Sequence, residues 1–120
     1  MFELYNKVYD PKKYHCVHFT IDAAQTLYGL NYEPCFIGLT GSLRETIQTS
    51  RDTVHRNKLI KKPKDGCIVL MTKHDNSSHV GLYYQNRVFH LTESGVHLVT
   101  VAQVSRIFKR IRYYEPNLHH

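Results

Sequence analysis

No stretch of this chain approaches the roughly 20 consecutive apolar residues that a membrane span needs. The opening residues, Met1-Phe2-Glu3-Leu4-Tyr5-Asn6-Lys7, lack the basic-then-apolar pattern of a secretory signal. The chain is therefore expected to be cytoplasmic when made, or delivered by something other than a signal peptide. Cysteine is scarce: there are 3, an odd number that cannot all pair within one chain. A Cys35–Cys67 disulfide would leave Cys16 free. Nothing marks the chain as secreted, so Cys35 and Cys67 read as small buried hydrophobes. No CxxC or HxxxH pair has metal-site spacing, which argues against zinc even though His15-Cys16-Val17-His18 contains the right ligand types. There is no internal repeat and no low-complexity segment.

What is present fits one globular domain. The chain has 120 residues, 42% of them apolar, enough for a single modest core. His119-His120 read as the stub of a purification tag and are set aside, leaving 1–118 as the domain. The net charge is +6, with basic residues at Arg56, Lys58, Lys61, Lys62 and Lys64 and again at Arg106, Lys109, Arg110 and Arg112. That balance favours an anionic partner such as nucleic acid, a membrane surface or an acidic wall polymer. A solvated face is the commonest explanation for such runs.

Residues 1–15 read as a coil or short turn leading into the first helix, with a turn at Asp10-Pro11. From Cys16 to Tyr28 the apolar and small residues Cys16, Phe19, Thr20, Ala23, Ala24 and Leu27 recur at spacings of three and four, which predicts a helix with one buried face. Gly29 stands where a helix-terminating glycine belongs. Residues 30–41 read as a loop. Ser42-Leu43-Arg44-Glu45 has capping-box spacing, and Leu43, Ile47, Ser50 and Val54 form the narrow stripe of a second helix. Lys61-Lys62-Pro63-Lys64-Asp65-Gly66 is expected to end it.

The second half reads as strands. Cys67 to Met71 is a short continuous apolar run, as in a strand covered on both faces. His79 to Tyr84 and Arg87 to Leu91 flank Gln85-Asn86, a hairpin turn. Val96 to Val101 reads as another strand, Ala102 to Ile107 as a short helix, and Phe108 to Tyr114 as a closing strand. Helices followed by an antiparallel sheet make the class α+β.

Strand arithmetic picks out the candidate chemistry. If Tyr84 pairs with Arg87, then Gly81 pairs with His90, and His79 shares a face with His90. The two imidazoles are then diagonal neighbours, roughly 7–8 Å apart at the backbone. Cys16 opens a helix, where the dipole favours a thiolate. If that helix end packs against the histidine face, Cys16 becomes a nucleophile, His79 its base and His90 the group that orients His79. The expected resting state is a thiolate–imidazolium pair. The Cys16 N–H would donate to the oxyanion, with Tyr14 the candidate for a second donor. A cysteine on an apolar helix face is more often core, and a strand histidine is more often structural. His15, His18, His55, His74 and His97 read as non-catalytic.

Tyr14-His15-Cys16-Val17-His18-Phe19, then Lys62-Pro63-Lys64-Asp65-Gly66-Cys67-Ile68-Val69-Leu70, then His79-Val80-Gly81-Leu82-Tyr83 and Val88-Phe89-His90, occur in the order seen in the NlpC/P60 family. From about Tyr14 to Tyr114 the chain resembles these papain-like cysteine peptidases. The resemblance implies a papain-like fold and a Cys16–His79–His90 triad. It also implies hydrolysis of amide bonds in peptidoglycan stem peptides, commonly between D-glutamate and a diamino acid, with no metal or cofactor. The family usually has aspartate before the cysteine and serine or tryptophan after it; His15 and Val17 stand there in this chain. The chain is similar to compact forms found in phage tails and prophages. That likeness implies a protein carried on a virion, or delivered to the periplasm or cell wall with phage tail or secretion-apparatus partners. Two alternatives stand beside the hydrolase: a non-catalytic structural tail component with the same fold, and a small basic nucleic-acid binder. The binder lacks any recognised binding motif.

Overall fold

Helix α1 spans Cys16–Tyr28, the bounds its residue spacing predicts. It buries Cys16, Val17, Phe19, Thr20, Ala23 and Ala24 and exposes Gln25. Its end is set by Gly29, whose φ of 66° suits a residue without Cβ and whose N–H donates to the Gln25 carbonyl. Its start is capped by histidines. The Val17 N–H approaches His15 Nδ1 at 3.4 Å, and the His15 N–H donates to His18 Nδ1 at 3.2 Å. The structure, a computed structural model, describes residues 2–36 and 57–118. The second helix expected from Ser42 onward, with Leu43, Ile47, Ser50 and Val54, lies outside the described residues, as does His55.

The described strands are β1 (Lys58–Ile60), β2 (Ile68–Thr72), β3 (Ser78–Tyr84), β4 (Arg87–Thr92), β5 (Gly95–Thr100) and β6 (Arg110–Glu115), with α2 (Val101–Ile107) between the last two. They form one six-stranded antiparallel sheet in the order β1-β6-β2-β3-β4-β5. With α1 and α2 this makes an α+β fold, as the sequence pattern predicts. Strand β2 is central, and its apolar run faces both ways: Ile68 and Leu70 point to one side, Val69 and Met71 to the other. Gln85 and Asn86 turn the β3–β4 hairpin with φ of 48° and 65°, the left-handed pair of a tight two-residue turn. Tyr84 pairs with Arg87, the expected register.

Three segments depart from the sequence pattern. Residues 58–60, expected in the tail of the second helix, form edge strand β1, with Leu59 opposite Tyr114. Three residues carry too little periodicity to announce a strand, and pairing with β6 supplies the order. Phe2–Asn6, in the segment expected as a coil or short turn, is a 3₁₀ turn whose burial of Leu4 the pattern does not announce. Glu33–Phe36, inside the expected loop, is another that buries Cys35 and Phe36. All three cysteines are buried and unpaired, so Cys35 and Cys67 act as core residues.

The sheet separates two cores. On one face α1 sets Val17, Phe19, Ala23 and Ala24 against Ile68, Leu70, Val80, Leu82, Phe89 and Leu91. On the other, Val104 and Phe108 pack with Val69, Met71, Tyr83 and Val88. Each fully buried large side chain contributes roughly 1.5–3 kcal/mol, so both covered faces stabilise the sheet. Among the described residues, no helix is long and apolar enough to cross a membrane.

Candidate active site

The site forms where the sheet forks. Strand β3 stays paired with β2 down to Ser78 opposite Thr72, and β4 stays paired with β5 up to Thr92 opposite Gly95. Between them the ladder starts at the hairpin turn and ends at Leu82 opposite Phe89. Gly81 marks the end of the ladder. A Cβ there would lie 2.9 Å from the Phe89 carbonyl oxygen and 3.1 Å from His90 Cβ, so only glycine fits this close approach. Past it, Ser78 and His79 on one strand and Leu91 and Thr92 on the other line a cavity of about 430 Å³.

The fork answers a problem of sides. The sequence reading packs the α1 N-terminus on the face that carries His79 and His90. In the structure α1 covers the opposite face, with Val80, Leu82, Phe89 and Leu91. Pleating forces this outcome: Val80 and Leu82 are the apolar residues of β3, so the helix covers their side, and His79 turns away from it. His79 instead stacks on Phe108, with ring centroids 5.7 Å apart and planes 3° from parallel. Cys16 nevertheless lines the same cavity as His79. The N–H groups on alternate residues of β3 point toward alternate neighbours; Tyr83 N–H serves the β2 side, donating to the Cys67 carbonyl. By this parity Val80 N–H points toward β4, where the ladder has ended, and it faces the Cys16 sulfur instead.

The histidines meet as the register predicts. His79 Nε2 lies 2.8 Å from His90 Nδ1, a buried ring-to-ring hydrogen bond. Nδ1 of His79 has no hydrogen bond among the described residues, and it is the nitrogen left for the cavity. His90 sits behind His79 and does not line the cavity. On its far side His97 pairs with it across β4–β5, ring centroids 5.3 Å apart. Burial drives His79 well below the ordinary imidazole range, and the charges of His90, Lys73 and His97 push the same way. Burial, then His97, lowers His90 to about 4. Both rings are neutral at neutral pH.

Burial also pushes the Cys16 thiol up from its ordinary value. The N–H groups of Val80, Val17 and Cys16 and the charge of Lys73 pull it down, and burial outweighs them. The resting pair is therefore thiol and imidazole, where the helix-end argument alone predicts thiolate and imidazolium. Desolvation of a cysteine that is only 5% exposed overrides the dipole.

Tyr14 is not brought to the site. Its hydroxyl donates to Asp22 Oδ2 at 2.7 Å, burial raises its pKa far above the phenol range, and it does not line the cavity. Tyr9 does line it, and burial, Glu93 and Cys16 all raise its phenol. His15, read as non-catalytic, caps α1 and also lines the cavity, lowered to about 4 by burial and then by His18. Lys73, Glu93, Ser94 and Phe108 also line it. Sequence reasoning missed Tyr9, Lys73 and Glu93 because all three lie outside helix and strand patterns, where no periodicity assigns a direction. Among the described residues, no group of three or more His, Cys, Asp or Glu is arranged to hold a metal ion. No protein-family model matches the sequence, and no curated protein matches it.

Proposed function

We propose that the protein is a cysteine hydrolase that cuts amide bonds in peptidoglycan stem peptides, with a papain-like fold of the NlpC/P60 type. One observation carries the reading: Cys16 and His79 line a single cavity, and His79 is hydrogen-bonded from behind to His90. In this scheme His79 Nε2–H donates to His90 Nδ1, which leaves the lone pair of Nδ1 free to take the thiol proton. The sulfur attacks the amide carbonyl carbon as that proton moves, so no resting thiolate is needed. The Cys16 N–H donates to the oxyanion, and the Tyr9 hydroxyl, not that of Tyr14, is the second donor. The protonated His79 then gives its proton to the amine as the C–N bond breaks. Water, deprotonated by His79, cleaves the thioester and restores the thiol. The basic surface suits an anionic wall polymer.

The test compares wild-type protein with Cys16→Ala on purified peptidoglycan, reading released fragments. Release by wild type and none by the variant supports the hydrolase; equal release by both overturns it. One observation favours a second reading, a non-catalytic tail component with the same fold: the thiol is buried and neutral. In that case neither protein releases fragments.

A further inference from the structure

One polar side chain of the cavity wall has no part in the hydrolysis. On β3, alternation puts Ser78 on the α1 face with Val80 and Leu82. Cys16 and Leu91 stand on that face too, and with Ser78 they line the cavity, whereas His79 belongs to the other face. Ser78 is 3% exposed, and its hydroxyl oxygen is buried with no hydrogen-bond partner among the described residues. A buried hydroxyl without a partner destabilises the fold, and such a group in a native protein calls for a reason.

Its neighbour supplies a contrast. Thr72 lies directly across β2–β3 from Ser78, so the two side chains share a face. The Thr72 hydroxyl is also buried and unpartnered among the described residues. Thr72 differs in one respect: it does not line the cavity. Each strand thus carries an orphan hydroxyl, one at the site and one away from it.

We infer that the Ser78 hydroxyl is a ligand-binding group, which takes its missing hydrogen bond from a backbone amide of the peptide bound beside Cys16. The oxygen turns about a single χ1 bond between staggered positions. A hydroxyl tucked into the wall of the free protein therefore swings to meet the amide, and binding satisfies a group that the free protein leaves unsatisfied. That the ligand is a peptide rests on the hydrolase reading; the binding role does not need the bond to be cut.

The experiment compares Ser78→Ala with Thr72→Val, which replaces the opposite hydroxyl by a methyl of similar size. The melting temperature should rise by a few degrees in both, since each loses an unpaired buried hydroxyl. Binding of disaccharide-tetrapeptide muropeptides is measured by calorimetry in the Cys16→Ala background. It should weaken roughly five- to tenfold with Ser78→Ala and hold steady with Thr72→Val. In turnover of the same muropeptides, Ser78→Ala should raise KM by a similar factor and leave kcat nearly unchanged. Binding indifferent to Ser78→Ala overturns the inference, as does equal weakening by Thr72→Val, or Cys16→Ala protein that binds no muropeptide. A melting temperature lowered by Ser78→Ala overturns it as well, because the hydroxyl then serves the fold. If Ser78→Ala weakens binding while wild type cuts nothing, the hydrolase reading fails and the role of Ser78 stands. If wild type cuts and binding ignores Ser78→Ala, the reverse holds.

Discussion

The β3–β4 ribbon has two ends built from the same pair of strands. At the Gln85-Asn86 end the ladder is closed, the turn is tight and Tyr84 opposes Arg87. At the other end the ladder stops, and a thiol, two imidazoles and a cavity occupy the space. The closed end fixes register, and register fixes that His79 and His90 share a face. At the open end a cysteine from one side of the sheet and a histidine that belongs to the other line one cavity.

The contrast is broken most decisively at the base. His79→Ala is expected to lower turnover on peptidoglycan on the order of a thousandfold, about 4 kcal/mol of barrier; activity within tenfold of wild type would show that His79 is not the base. Acid comes next. His90 and His15 have folded pKa values of about 4, below the usual imidazole value, so the unfolded chain takes up protons first. Their contribution is whole above about pH 6.5 and is lost as pH falls toward 4, on the order of 3 kcal/mol from His90 alone. Urea midpoints measured from pH 7 to pH 4 should fall steadily and fall less in His90→Asn. Gly81→Ala should cost roughly 1–3 kcal/mol, since the new methyl meets the Phe89 carbonyl; an unchanged melting temperature would place the ladder's end elsewhere. His90→Ala is expected to leave partial activity, reduced roughly tenfold or more, with the orienting bond gone. Asn86→Gly at the closed end should move stability by only a few tenths of a kcal/mol and leave turnover as it was. Turnover that fell with Asn86→Gly as far as with His90→Ala would erase the distinction between the two ends.

Much of this was legible in residue order. Three-and-four spacing and Gly29 fixed the bounds of α1, and Gln85-Asn86 between two apolar runs fixed a register that brings His79 to His90. The fork was not legible. Alternation says which way a side chain points and is silent on where a ladder stops. For the same reason the face chosen by α1 was misjudged, although Val80 and Leu82 already mark the apolar side of β3. Tyr9 and Tyr14 are chemically identical, and only the structure tells them apart: Tyr9 lines the cavity, and Asp22 captures the Tyr14 hydroxyl away from it. The protonation of Cys16 depended on a competition between dipole and burial whose second member needs coordinates.

Phe108, at the end of α2, lies flat against the ring of His79. Cys16 and His79 are thus seated against different cores, α1 holding the one and the α2 side the other. Loosening of the Val104–Phe108 corner would tilt the imidazole while leaving the thiol where it is. Alignment across the slot is therefore a property of both halves of the interior at once, and activity should register damage on the α2 side that the fold as a whole tolerates.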